Sequence, residues 1–160
     1  MQQFYVGTKH IVGVPMARQE YNDYRGWKLP EDENGSDEGY LVEYVDGGAA
    51  NHPNHTGYIS WSPKGVFEKS YQPTNQMSFG HALETLKMGH SVYRDGWNGK
   101  GMFVYLVPAA AYPAQTAVAR ATFGEMVPYN AYLALKGVNG TVSTWVPSIN
   151  DVLANDWSIV

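Results

Sequence analysis

The clearest hydrophobic pattern lies just past the middle of the chain. Apolar residues recur there at the three- and four-residue spacing of one helix face, at Phe79, Ala82, Leu83 and Leu86. Ser78 precedes this run, where an N-cap residue belongs, and Gly89 follows it, where a helix C-terminal glycine belongs. The pattern predicts a helix over residues 79–88.

Short apolar runs predict the strands that accompany this helix. They cover residues 92–94, 102–107, 132–135, 141–145 and 157–160. Asn139-Gly140, between the third and fourth run, is a dipeptide favoured in two-residue hairpin turns, and Ser148 is an N-cap for a brief helix before the last run. The second half is therefore expected to be a small antiparallel sheet packed on one main helix.

The first half predicts a small β-rich α+β module. Its strand-like runs cover residues 4–6, 11–14, 40–45 and 58–61, the first two joined by a turn at Gly7-Thr8. A helix is expected to follow Pro15 and to end by Gly26, and another to follow Ser62-Pro63. Val66 and Phe67 of the latter are expected to face inward. The fold class of the whole chain is α+β.

A short polar run divides the two halves. Residues 72–76 contain proline and no apolar side chain, which is typical of a linker. Residues 1–76 carry six basic and ten acidic residues, whereas residues 77–160 carry five of each. We therefore expect an N-terminal module over residues 1–71, a linker over 72–76 and a second domain over 77–160.

Composition excludes several classes of function. The net charge is −4, whereas a sequence-blind nucleic-acid binder is basic. The absence of cysteine excludes a disulfide scaffold, a thiolate metal site and a cysteine nucleophile. Nineteen uncharged residues separate Lys100 from Arg120, but prolines and polar residues interrupt them, so no membrane span is expected. The first ten residues show no targeting pattern.

No motif predicts catalysis or metal binding. His52 and His55 have an H-x-x-H spacing, but Pro53 between them favours a solvated turn over a metal site. The carboxylates of the second half form no acid–base motif. A strand rather than a helix follows Gly99-Lys100-Gly101, which excludes a P-loop. This turn is either an ordinary turn or an anion site built from main-chain N–H groups.

Aromatic residues are unusually frequent, with 22 of 160 positions and five tryptophans. Trp97 lies in a glycine-rich turn, and Trp145 lies close to Ser148 at a predicted helix N-terminus. Such indoles either stack a base next to a phosphate site or close a thin core. Composition alone favours the core interpretation.

Two strings in the second half carry a family resemblance. They are G-W-N-G-K-G-M-F at residues 96–103 and W-x-P-S followed by D-x-L-A-x-D-W within residues 145–157. Together with the helix at 77–89, they make residues 77–160 resemble the second type of phage Thoeris anti-defence protein. Residues 109–127 carry none of the resemblance. The N-terminal half is similar to a segment fused before this domain in phage and prophage proteins.

The resemblance implies a sponge rather than an enzyme. Such proteins bind the cyclic ADP-ribose isomer made by a bacterial immune TIR enzyme, without cleaving it. They assemble as homotetramers, and some relatives also capture cyclic di- or trinucleotides. The implied place of action is the cytoplasm of the host bacterium, with no cofactor, metal, nucleic-acid polymer or membrane as partner. Two alternatives stay open: an enzyme that degrades the same signal by phosphodiester or glycosidic cleavage, and a non-catalytic structural or host-interaction adaptor.

The resemblance also suggests which residues contact the ligand. Trp97 is expected to stack the adenine, while Asn98 and the backbones of Gly99 and Gly101 shape the turn around the ligand. Lys100 is expected to be one of the cations for the pyrophosphate.

The remaining expected contacts have structural alternatives. Arg94 is the second cation. Met102 and Phe103 line the pocket or belong to the core. Ser148 donates to phosphate and Asp151 accepts from a ribose hydroxyl, or both only cap the short helix. Trp145 and Trp157 are expected to be structural.

Overall fold

The computed structural model describes residues 2–160, which form two compact units, and the second unit begins at Pro73. The elements of the first unit are β1 (Ile11–Pro15), α1 (Arg18–Arg25), β2 (Gly39–Tyr44), β3 (Tyr58–Pro63) and α2 (Lys64–Ser70). The strands form an antiparallel sheet in the order β1-β2-β3. Tyr21, Leu41 and Ile59 form its small buried core.

Two expectations for the first unit are wrong. Residues 4–6 form no strand although β1 lies at an edge of the sheet, and their side chains are almost fully exposed, so no burial of apolar surface favours pairing there. Val66 is 59% exposed, whereas its neighbour Phe67 stacks on Tyr40 with ring centroids 3.9 Å apart.

Helix α1 ends at Gly26, whose φ of +69° is the left-handed conformation of a helix C-terminal glycine.

The second unit is built on a five-stranded antiparallel sheet. Its elements are α3 (Phe79–Lys87), β4 (Val92–Arg94), β5 (Phe103–Val107), β6 (Ala110–Pro113), α4 (Ala117–Phe123), β7 (Met126–Tyr129), β8 (Tyr132–Lys136), β9 (Val142–Trp145), α5 (Ile149–Val152) and β10 (Trp157–Ile159). The sheet order is β10-β4-β5-β8-β9. The predicted α+β class with antiparallel sheets is confirmed.

Helix α3 forms as its sequence pattern predicts. The Ser78 hydroxyl accepts a hydrogen bond from the N–H of His81, and Gly89 follows the helix with a φ of +93°. Ala82 and Leu86 are fully buried and belong to one core cluster with Trp157, which α3 shares with the sheet. The helix is therefore fixed to the sheet by its predicted apolar face.

The hairpin between β8 and β9 has a longer loop than predicted. The N–H of Gly137 donates to Thr141 O (2.9 Å), and the N–H of Gly140 donates to Gly137 O (3.1 Å). Gly140 has a φ of +81°, whereas Asn139 does not have a positive φ. A two-residue type I′ turn needs positive φ at both central residues, so a three-residue loop over 138–140 forms instead.

Residues 109–127 contain structure that the sequence pattern did not indicate. Strands β6 and β7 pair only with each other, and α4 between them buries no residue. Because these elements face solvent on several sides, they lack the regular alternation of buried and exposed positions that makes a strand or helix recognisable.

All of the polar run at 72–76 except Gln72 lies at the start of the second unit. Thr74 O accepts from the N–H of Ile159 (3.0 Å), and Asn75 O accepts from the hydroxyl of Ser158 (3.1 Å). Residues 74 and 75 are thereby held against β10.

Candidate ligand-binding cavity in the second unit

The loop between β4 and β5 forms one wall of a cavity of about 460 Å³. Seven residues expected from the sequence to contact a ligand line it: Arg94, Trp97, Gly99, Lys100, Gly101, Met102 and Phe103. Three further lining residues were not expected: Tyr93, Asp95 and Val160. Asn98, Ser148 and Asp151 do not line this cavity.

Trp97 takes part in both the core and the cavity. Its ring meets the indoles of Trp145 and Trp157 edge to face, with centroid distances of 6.1 and 5.4 Å. Its Nε1–H donates to Asp151 Oδ1 (3.1 Å). The two interpretations of Trp97 are therefore compatible, since one indole packs on the core and lines the cavity.

Arg94 is held by two carboxylates. Its Nε donates to Asp156 Oδ1 (2.8 Å) and its Nη1 to Asp151 Oδ1 (3.0 Å). The hydrogen bond with Asp156 is the main reason why the pKa of Arg94 lies above its usual value. Since the two carboxylates outnumber the guanidinium, Arg94 adds little positive potential for an anionic ligand.

Asp151 lies behind Trp97 and Arg94 and is only 8% exposed. Its Oδ2 accepts from the N–H (2.9 Å) and the hydroxyl (2.7 Å) of Ser148, the N-cap of α5. Burial raises the pKa of Asp151, but the hydrogen bonds from Ser148, Arg94 and Trp97 outweigh it and lower the pKa to about 2. All four acceptor positions of this carboxylate are thus occupied. Ser148 and Asp151 cap α5 as the alternative interpretation predicted, whereas the bonds from Arg94 and Trp97 were not predicted.

Two polar residues that the sequence did not single out support the loop. Asp156 accepts from the N–H of Gly96 (2.9 Å) as well as from Arg94, and this fixes the start of the loop. Lys136 Nζ donates to Gly101 O (2.9 Å) at its end. Asp156 belongs to the D-x-L-A-x-D-W string, whereas no local spacing pointed to Lys136, which comes from β8.

The glycine positions of the loop are required by its shape. Gly101 has a φ of +72°, which side-chain-bearing residues rarely adopt. A Cβ at Gly99 would collide with Met102 and Val138. Among residues 2–160, Lys100 forms no ion pair, and this exposed residue lines the cavity.

The histidine pair of the first unit is engaged in other contacts. His55 Nδ1 lies 2.8 Å from Glu43 Oε2, and its Nε2 lies 2.9 Å from the Tyr24 hydroxyl. His52 stacks on the Tyr24 ring at 4.4 Å. Within the described part of the chain, no group of three His, Cys, Asp or Glu residues is placed to hold a metal ion. None of the helices described there is both long and apolar enough to cross a membrane.

The second unit is thus a small α+β domain in which a glycine-rich loop, one indole of a tryptophan cluster and a lysine border one cavity. Residues 77–160 match the Tad2-like family, described as the Thoeris anti-defense 2-like domain. The chain is also 43% identical over 88 residues to Thoeris anti-defense 2 of Bacillus phage SP01, a match that covers 53% of this chain and 96% of the relative. The chain belongs to the Thoeris anti-defense 2-like family.

Membership of this family implies phage anti-defence against Thoeris. It confirms the resemblance predicted for residues 77–160. The family match covers none of residues 1–76, so the similarity of that half to a fused phage segment stays a prediction.

Proposed function

We propose that this protein binds and sequesters a cyclic nucleotide immune signal without cleaving it. The ligand is a cyclic ADP-ribose isomer made by a TIR enzyme, with cyclic di- and trinucleotides as further ligands, and capture takes place in the cytoplasm of the infected bacterium. The observation that carries the proposal is the cavity beside the glycine-rich loop. Its volume of about 460 Å³ lies within the range of about 300–1,000 Å³ typical of small-molecule sites.

The lining residues suit a ligand with a purine ring and a pyrophosphate. Trp97 and Phe103 offer aromatic surface for the base, and stacking contributes about 1–3 kcal/mol per base. Lys100 and the main-chain N–H groups of the loop supply donors for the phosphates. Nanomolar affinity requires about 12 kcal/mol, so stacking and phosphate contacts must act together.

Arg94, Ser148 and Asp151 have an indirect role in this proposal. Their hydrogen bonds hold the Trp97 indole and the start of the loop in place. A loop ordered before the ligand arrives loses less conformational entropy on binding, which favours tight capture.

We also propose that identical chains assemble, as a tetramer. Apolar side chains of the second unit are exposed on α4, after β9 and on α5, among them Val118, Phe123, Val146, Ile149 and Leu153. Exposed apolar side chains on these three segments offer surface that assembly would bury. Light scattering after size-exclusion chromatography is expected to give a mass of four chains, and a monomer mass at micromolar concentration would contradict the proposal.

Calorimetric titration against cyclic ADP-ribose isomers, cyclic dinucleotides and cyclic trinucleotides tests the binding. We expect saturable, stoichiometric heat from at least one of them, and intact ligand after heat denaturation of the complex. Recovery of cleaved nucleotide would instead indicate an enzyme that degrades the signal. Absence of any complex across the panel would contradict sequestration and favour the adaptor alternative.

Lys100→Ala tests the placement of the ligand. Because the Lys100 ammonium has no protein partner in the described chain, its removal should leave stability unchanged and weaken binding at least about tenfold, equivalent to about 1.4 kcal/mol. Lys87→Ala is the matched control, since Lys87 lies on α3 in a surface ion pair with Glu84 and does not line the cavity. Equal affinities of the two variants would show that the ligand binds elsewhere.

A further inference from the structure

The first unit contains a cavity of its own, which the family match does not cover. It has a volume of about 300 Å³ and lies between α1, β3, Trp27 after α1 and Asn51 in the segment before β3. Arg18 and Arg25 of α1 line it together with Trp27, Tyr58 and Trp61. It is lined only by residues 18–61, so it belongs to this unit alone.

Two guanidinium groups in this cavity each lie over an indole ring. The Arg18 guanidinium carbon is 4.6 Å from the ring centroid of Trp61, and that of Arg25 is 4.2 Å from the centroid of Trp27. Trp61 is itself fixed, since its Nε1–H donates to Met16 O (2.9 Å). Stacking on a rigid ring restricts the orientation of each guanidinium and leaves its N–H edge for hydrogen bonding.

The two arginines differ in their partners. Arg18 pairs with Glu33 through its Nε (2.6 Å), so its charge is compensated within the protein. The charge of Arg25 opposes the burial that raises the pKa of the nearby Tyr21 hydroxyl, but none of the described carboxylates pairs with Arg25. Its Nη1 is buried and has no hydrogen-bond partner among residues 2–160.

A buried N–H of a charged group without an acceptor costs about 1–3 kcal/mol or more. The other buried polar groups of this cavity wall are satisfied; Asn51, for example, exchanges two hydrogen bonds of 2.8 Å with the backbone of Ile59. Nη1 is closed to a water-sized molecule, so an occupant of the cavity meets the other N–H groups of the Arg25 guanidinium, and a negatively charged acceptor there compensates its charge.

We propose that this cavity is a binding site for a small molecule that carries an oxyanion, a carboxylate or a phosphate, on a planar apolar body. The oxyanion binds Arg25, and the planar body packs against Tyr58 and Trp61. Liquid water occupies about 30 Å³ per molecule, so about 300 Å³ accommodates roughly ten to fifteen non-hydrogen atoms. This site is separate from the cavity proposed for the cyclic nucleotide.

The test uses the full chain and three probes of similar shape: benzoate, phenyl phosphate and the uncharged benzamide. Indole N–H signals in ¹H–¹⁵N spectra distinguish Trp27 and Trp61 of the first unit from Trp97, Trp145 and Trp157 of the second. We expect saturable shifts of the Trp27 and Trp61 signals with at least one anion, at a dissociation constant of about 1 mM or below, and no saturable shift with benzamide. The anion that binds more tightly identifies the oxyanion.

Arg25→Gln removes the charge and should weaken anion binding at least about tenfold. Lys28→Gln is the matched control, because it removes one positive charge from an exposed residue of the same unit that does not line the cavity. Any of four results would overturn the proposal. They are equal shifts with benzamide and the anions, shifts only in the second unit, no shifts at about 10 mM probe, and unchanged affinity in Arg25→Gln. If Arg25→Gln does not fold, the comparison of charged and uncharged probes on the unaltered chain decides. Failure here leaves the cyclic-nucleotide proposal intact, because the two cavities report through different tryptophans.

Discussion

The carboxylate of Asp151 connects the cap of a helix to both the tryptophan cluster and the arginine of the cavity. Asp151→Ala removes four hydrogen bonds at once: two from Ser148 and one each from Arg94 and Trp97. It also leaves the Trp97 Nε1–H without its acceptor. We therefore expect the second unit to lose stability and the Trp97 indole to lose its fixed orientation.

The size of this effect follows from the pKa of Asp151. The folded protein lowers that pKa from 3.8 to about 2, which corresponds to about 2 kcal/mol in favour of the charged carboxylate. An unpartnered, half-buried indole N–H adds about 1 kcal/mol. We expect the free energy of unfolding to fall by about 3 kcal/mol, against a typical total of about 5–15 kcal/mol. For a unit of this size, the melting temperature falls by about 12 °C or more.

Urea unfolding followed by tryptophan fluorescence measures this change, and near-ultraviolet circular dichroism reports the packing of the indoles. Asp95→Ala is the control, because Asp95 is an exposed carboxylate in the same loop and should change stability by less than about 0.5 kcal/mol. A loss below about 1 kcal/mol for Asp151→Ala would refute the reasoning, since the hydrogen bonds would then contribute little beyond what water offers.

Two further predictions follow from the same unit. Because folding lowers the pKa of Asp151, its stabilising contribution is present at neutral pH and is lost as the pH falls from about 4 towards 2. The difference in urea midpoint between the unaltered chain and Asp151→Asn should shrink over that range. A constant difference would contradict the lowered pKa of Asp151. Gly101→Ala should destabilise by about 1–2 kcal/mol in urea unfolding, since its φ of +72° is strained for alanine. Gly80→Ala, in helix α3 where a Cβ would make only an ordinary contact with Ser78 Oγ (3.8 Å), should stabilise by about 0.5 kcal/mol instead. Equal effects of the two changes would show that the loop relaxes.

The elements that the sequence predicts well are those with local signals. Helix α3 has an apolar stripe, an N-cap at Ser78 and a glycine at its end, and all three are found as expected. The short helix α5 follows from Ser148 in the same way. The failures have other causes: residues 4–6 have a strand-like composition, but their side chains stay exposed and gain no apolar burial from pairing. Residues 110–129 form a hairpin with an exposed helix that leaves no periodic pattern.

The residues around the cavity were mostly predictable as a group, because the loop from Arg94 to Phe103 is continuous in sequence. Their individual roles were not. Sequence reasoning treated Arg94 as a cation for phosphate, whereas two carboxylates hold it. It also left open whether Trp97 was core or ligand contact, and the structure places it between the core and the cavity.

Capping, helical periodicity and glycine in turns depend on residues that are neighbours in the sequence. For that reason the amino-acid order was enough to place α3, α5 and the loop. The partners that give the cavity its electrostatics come from distant positions. Arg94 and Asp151 are 57 residues apart, Trp97 and Asp151 are 54 apart, and Gly101 and Lys136 are 35 apart. Only the folded sheet and helices bring these groups within hydrogen-bond distance. A charge or a donor is satisfied by the acceptor that lies next to it in space, and no spacing along the chain encodes that acceptor.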